Sequence, residues 1–329
     1  VQLQSDITSP FPPLDLMVHI GEISAASFND TIPAKEVWRV SEDGELRDPF
    51  KKLTTVFQMS EEMFFLHYGK DGCNRHVLID ECRELFGEIY EQIPELPFCT
   101  IWTAMQLSSR LPKGALFHMG VSNTRRCWNM FQLPESVESA CNVGCCGIDG
   151  CVSTLVGASL VNPDRLCYVV VGDLTFFYDL NSLGNHHIGT NLRVMLVNNG
   201  RGTEFRLGIH HCNVFGDDAD KYMAAAGHFG NKSPLLVKHY AEDLGFHYLS
   251  ATTKEEFMTA LSNFTNPQLS DHSMILEVFT DSKDESEALY LMSHIQSDAK
   301  GMVRSKLKDA VRNVAGEKGI NAIKKILKK

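Results

Sequence analysis

Residues 168–205 read YVVVGDLTFFYDLNSLGNHHIGTNLRVMLVNNGRGTEF. An apolar run from Tyr168 to Val171 closes on Gly172-Asp173, and a second, from Val194 to Val197, closes on Asn198-Asn199-Gly200. The segment between them has helical character. Two short β-branched runs separated in this way predict buried parallel strands joined by a crossover. Ligands of open α/β sheets gather at the carboxyl ends of the strands, and the polar residues of both runs fall there. A carboxylate, a carboxamide and a neighbouring backbone carbonyl are hard oxygen donors, suited to Mg²⁺ or Ca²⁺ rather than zinc. Magnesium keeps several waters and bridges readily to phosphate, which points to a diphosphate held through a metal ion. The same residues also fit a plainer pattern, an Asp capping a helix and an Asn-Asn-Gly turn.

A second block lies upstream. Leu116 to Gly120 predicts a strand, and Val121-Ser122-Asn123-Thr124-Arg125-Arg126 a turn entering a helix. Ser122 and Arg126 share a helix face if the helix begins at Ser122. Residues 141–150, CNVGCCGIDG, are followed by Ser153-Thr154 and Gly157.

Gly172-Asp173 with Asn198-Asn199 one crossover later resembles the metal–diphosphate motif of thiamine diphosphate (ThDP) enzymes. The extended form GDLTxxxDLNSL, with Leu174 after the Asp, and the run GIDGxxST at residues 147–154 are similar to the menaquinone-pathway branch, the 2-succinyl-5-enolpyruvyl-6-hydroxy-3-cyclohexene-1-carboxylate (SEPHCHC) synthases. The resemblance continues to about Ile295, through HYAEDLGFHYLSATTKEEF and a strand from Met274 to Phe279. It implies an α/β fold, a three-layer αβα domain with a parallel sheet over residues 96–298, preceded by part of a second α/β domain over residues 1–95.

The cofactors implied are ThDP and Mg²⁺. Around the cofactor the resemblance places Ser122, Gly147, Ile148, Asp149, Gly172, Asp173, Leu174, Thr175, Asn199 and Arg201. Asp173, Asn199 and the carbonyl of Arg201 match the metal ligands, and Ile148 the bulky residue that keeps the cofactor bent. Ser122, Arg126 and Phe205 match the substrate side, where the arginine meets a carboxylate; paired parallel hydrogen bonds suit a guanidinium to that task. The implied activity is decarboxylation of a 2-oxo acid donor and transfer of the remainder to an acceptor. No catalytic residue is expected in this chain, because the family's catalytic Glu lies on a pyrimidine-binding domain further upstream. A chain opening on Val1 is therefore expected to be part of a longer enzyme, or to depend on a separate subunit, and to be inactive alone. A homodimer or larger assembly is expected. The alternative is a non-catalytic subunit that keeps the fold for assembly or regulation.

Three positions depart from the family pattern. Val143 stands where the family has a second substrate-binding arginine, Glu204 where it has an aliphatic residue, and Val121 where it has an asparagine. A carboxylate–guanidinium contact of about 1.5–3 kcal/mol is worth more than tenfold in affinity, so an acceptor with fewer carboxylates than isochorismate is expected.

Composition bounds the rest. The chain has 329 residues, 43% hydrophobic and 22% charged, enough for a sizeable core and more than one domain. The net charge of −10 argues against a general nucleic-acid binder. No apolar run reaches the length of a membrane span and no secretory signal is visible; with ten cysteines in no framework spacing, a cytoplasmic setting is expected. Toward the N-terminus, Leu16 to Gly21, Val37 to Val40 and Thr55 to Phe57 predict short strands, with a helix opening at Ser60 and no GxGxxG. Amphipathic spacing from Asp80 to Met105 is broken by Pro94 and Pro97. Cys141, Cys145, Cys146 and Cys151 lack zinc-ribbon spacing and read as small packing residues, and His186-His187 as a solvated helix end. Asp217-Asp218-Ala219-Asp220 reads as an acidic helix start, and Thr253-Lys254-Glu255-Glu256 as a capping box. Residues 299–329 form a basic helical extension, ten Lys or Arg against Asp309 and Glu317, expected to pack on a protein surface or to contact a membrane surface.

Overall fold

A computed structural model describes residues 14–21, 34–69, 77–143, 147–207, 210–222 and 233–296. The basic extension lies outside them. Two compact units emerge, one formed by Glu95–Tyr290 and one that takes in the described residues up to Pro94 and those from Leu291.

The N-terminal unit carries three parallel strands in the order β1 (Leu14–Ile20), β2 (Ala34–Ser41), β3 (Leu53–Gln58). Helix α1 (Glu61–Tyr68) follows, its Ser60 cap accepting a hydrogen bond from the Met63 amide at 3.3 Å. Helix α2 (Val77–Glu91) ends just before Pro94, as the proline spacing predicts.

The larger unit is built on six parallel strands in the order β5-β4-β6-β7-β9-β8. These are β4 (Leu116–Met119), β5 (Glu138–Cys141), β6 (Cys167–Gly172), β7 (Leu192–Asn198), β8 (His247–Ala251) and β9 (Met274–Phe279). The two runs of the quoted stretch become β6 and β7 at the centre, buried on both faces. On one face Cys167, Val169, Val171, Leu192, Val194 and Leu196 pack against helices α5 (Cys151–Val161), α6 (Asp173–Asp179) and α7 (Leu236–Asp243). On the other, the Tyr168 ring meets Phe264 of α8 (Lys254–Phe264) at 5.5 Å and its hydroxyl donates to the Phe264 carbonyl at 3.1 Å. Trp102 of α3 (Thr100–Ser108) meets Phe257 of α8 edge-on at 5.6 Å. Helices on both faces of a parallel sheet give the three expected layers. Helices α4 (Asn123–Trp128) and α9 (Ser282–Ser293) complete the described helices.

Strand order places the site. From β4 the chain steps outward to β5, then returns past β4 to lay down β6 on its other side. The crevice between the ends of β4 and β6 is a switch point of the kind where α/β sheets bind ligands.

Local details refine the sequence reading. Helix α4 begins at Asn123, so Ser122 is its cap residue rather than its first turn. Thr253 caps α8 by accepting from the Glu256 amide at 3.2 Å, while the Glu256 carboxylate accepts from the Thr252 amide at 2.7 Å. Asp217 to Asp220 lie in a 3₁₀ stretch, His211–Lys221, interrupted at Gly216 with φ 52°.

The base of the central strands is pinned by one side chain. Asn191, just ahead of β7 and 2% exposed, turns its amide nitrogen to the carbonyls of Ser159, Asn162 and Arg165 at 3.1, 3.0 and 3.0 Å. Asn191→Ala removes these bonds, of which the one to Ser159 is fully buried, and should lower stability by about 1–3 kcal/mol. Urea denaturation checks this, and a loss within experimental error would show that the carbonyls find other partners.

Candidate functional site

A cavity of about 800 Å³ opens at the carboxyl ends of β4, β6 and β7. Ser122, Ile148, Gly172, Asp173, Leu174, Thr175, Asn199, Arg201 and Phe205 stand in its wall. Gly147, Asp149 and Arg126 are not among the lining residues. Val121, Thr100 and Glu204 also line it.

Asp173 opens α6 and is 3% exposed. Its Oδ1 accepts from the Leu174 amide at 2.8 Å, whereas its Oδ2 is buried with no hydrogen-bond partner. Burial pushes the carboxyl up to about 7, only partly offset by the nearby backbone amides, that of Leu174 first. An unpartnered buried acceptor costs about 1–3 kcal/mol, and a cation at Oδ2 would remove that cost. Gly172 precedes it, and a side chain there would meet no atom within 4 Å, so the backbone is open to the cavity.

The turn after β7 faces this carboxylate. Gly200 has φ 77°, the left-handed conformation that glycine adopts without strain. The Asn198 Oδ1 accepts from the Gly200 amide at 3.1 Å and the Asn199 Oδ1 from the Arg201 amide at 3.2 Å. Behind the turn, Asn198 Nδ2 donates to Glu277 Oε1 at 2.7 Å, and the Tyr248 hydroxyl donates to Glu277 Oε2 at 2.7 Å. Burial pushes the Glu277 carboxyl up, and these two hydrogen bonds only partly counter it.

The two motif blocks are joined by Asp179. Its Oδ2 accepts from the Ser153 amide at 2.6 Å and the Ser153 hydroxyl at 3.0 Å. A residue at the end of α6 thus satisfies a free amide in the first turn of α5. Asp179 entered the sequence reading only as a position of the GDLTxxxDLNSL motif and Glu277 not at all, although a lone Glu inside the apolar run MILEVF is an available signal.

At the β4 end, Ser122 adopts φ 64°, ψ −124°, a sparsely populated conformation for a residue with a side chain. Arg126 donates to Glu204 through both terminal nitrogens, at 3.0 and 2.8 Å, and to Asn123 Oδ1 at 3.2 Å. Burial pushes Glu204 up, but the Arg126 hydrogen bonds and charge, with a hydrogen bond from Ser122, hold it below its ordinary value. Thr100, at the start of α3, is fixed by Glu285, which accepts from its amide at 2.9 Å and its hydroxyl at 2.6 Å.

His186 and His187 are exposed, with ring centroids 3.8 Å apart and planes tilted by 41°. Among the described residues, no three of His, Cys, Asp and Glu gather to hold a metal; Cys145 and Cys146 lie outside them. No helix of the described residues is long and apolar enough to cross a membrane.

No family model matches the chain. Among curated proteins, it is 33% identical over 263 residues to the SEPHCHC synthase of Bacteroides fragilis, covering 78% of this chain and 45% of that protein. The SEPHCHC synthase of Bacteroides thetaiotaomicron is 32% identical over 259 residues, covering 78% and 44%. That of Cytophaga hutchinsonii is 32% identical over 239 residues, covering 72% and 39%. The chain is homologous to the SEPHCHC synthases. It spans less than half the length of these relatives.

The Arg126–Glu204 pair gives this end of the cavity an acid response. A carboxyl held below its ordinary value of 4.5 stabilises the fold fully above that value, and the contribution is lost as pH falls through the lower folded-state value. Glu204→Gln should therefore flatten the acid limb of stability below about pH 4.5. Urea midpoints across a pH series check it; parallel profiles for the two proteins would mean that the pair adds nothing.

Proposed function

We propose that the chain carries the diphosphate- and metal-binding part of a ThDP- and Mg²⁺-dependent 2-oxo acid decarboxylase and carboligase. The observation that carries this is the buried, unpartnered Oδ2 of Asp173, beside the open backbone of Gly172 at the end of β6. The oxygen donors fit a hard divalent cation. Asp173, the Asn199 side chain and the Arg201 carbonyl would hold it. Gly172, Leu174 and Thr175, which line the cavity, would take the diphosphate, with Ile148 and Phe205 as apolar wall.

ThDP, when bound, supplies an electron sink for loss of CO₂ from a 2-oxo acid. The chain's own residues bind and orient. The Tyr248–Glu277–Asn198 series fixes the turn that faces Asp173, and Asp179 holds α5 against α6. A separate subunit or a longer chain, in a homodimer or larger assembly, would bring the pyrimidine-binding domain and its catalytic Glu. The setting proposed is cytoplasmic. A non-catalytic subunit has no use for an unpartnered buried carboxylate oxygen, which favours the enzyme.

Calorimetry with Mg²⁺-ThDP should show weak binding to the chain and none to Asp173→Ala. Unchanged affinity in the variant would remove Asp173 from the site. Supplied alone with pyruvate or 2-oxoglutarate, Mg²⁺ and ThDP, the chain should release no CO₂; steady turnover would mean that a residue of this chain replaces the missing Glu.

A further inference from the structure

The cavity that the proposed function uses has a second end, at α4, where two charges are already matched. Glu204 lines the cavity and Arg126 does not, so the carboxylate stands between the guanidinium and the space a substrate would occupy. The pairing is bidentate, at 2.8 and 3.0 Å, with side chains 22% and 24% exposed. Asn123 accepts from the same guanidinium at 3.2 Å, and Ser122 hydrogen-bonds Glu204. Both partners are therefore held by residues at the start of α4.

We propose that Glu204 is an internal carboxylate that occupies Arg126 in place of a substrate carboxylate, so that the cavity takes an acceptor uncharged at the end facing α4. The proposal rests on the cavity being the substrate site. The geometry formed is the fork that an arginine offers to an incoming carboxylate. A substrate carboxylate could reach Arg126 only by displacing Glu204, exchanging one ion pair for an equal one. The displaced Glu204 would then face the newcomer in a partly desolvated cavity, where like charges repel strongly. Besides Glu204, the charged residues among the described lining residues are Asp173 and Arg201. Arg201 belongs to the turn at the Asp173 end, where the diphosphate reading already places it. An aldehyde or a neutral cyclic compound fits the α4 end; a dicarboxylate does not.

The test uses the full 329-residue chain and succinate as probe, by titration calorimetry without cofactor. Wild type should bind succinate only weakly, because Arg126 is already taken. Glu204→Gln should bind it at least about tenfold tighter, the worth of a charged hydrogen-bonded contact. The double variant Glu204→Gln, Arg126→Gln should lose that gain. No gain in Glu204→Gln, or a gain kept in the double variant, would overturn the proposal. If Glu204→Gln fails to fold, Glu204→Ala, alone and with Arg126→Gln, carries the same comparison. Failure of Mg²⁺-ThDP to bind is scored separately, since it sinks the cofactor reading without touching the succinate result.

Discussion

One carboxylate oxygen, Oδ2 of Asp173, is placed in a buried position without a partner, and the surrounding structure is arranged so that it stays there. Asp173 directly follows a strand buried on both faces, so it cannot swing toward solvent without disturbing the central sheet. Each fully buried aliphatic side chain of β6 and β7 contributes about 1.5–3 kcal/mol. The unpartnered oxygen costs no more than one such residue gives. The fold therefore tolerates it easily, and a divalent cation would convert the cost into affinity.

The opposing wall works by the reverse logic. The Asn198–Arg201 turn has its side-chain oxygens engaged by its own amides, and Glu277 holds Asn198 from behind. Its shape is set before anything binds, so little ordering remains to be done on binding. At the far end of the cavity, Arg126 and Glu204 satisfy one another. One end of the site is thus left wanting a charge and the other has its charges matched.

Much of the fold could be read from the chain because it depends on local pattern. The runs at 168–171 and 194–197 became the central strands, and Pro94 and Pro97 separated α2 from α3. Side-chain pairings were harder to see, because their partners are distant in sequence. Glu277 is 79 positions from Asn198, and Glu204 is 78 from Arg126. Glu204 stood out as a departure from the family pattern, but nothing local told that it would turn to Arg126. Ser122 was expected in the turn entering a helix and is the residue before α4; its positive φ, between β4 and α4, is not something a sequence pattern registers.

Strand β8 forms one margin of the six-stranded sheet, where fraying and foreign pairing ordinarily begin. Here the margin is tied inward: its Tyr248 hydroxyl ends on the same Glu277 that holds Asn198. Peeling β8 away would strip a partner from a buried carboxylate, so local opening of the margin carries an interior cost. Opening of this margin is therefore coupled, through one shared carboxylate, to the Asn198–Arg201 turn.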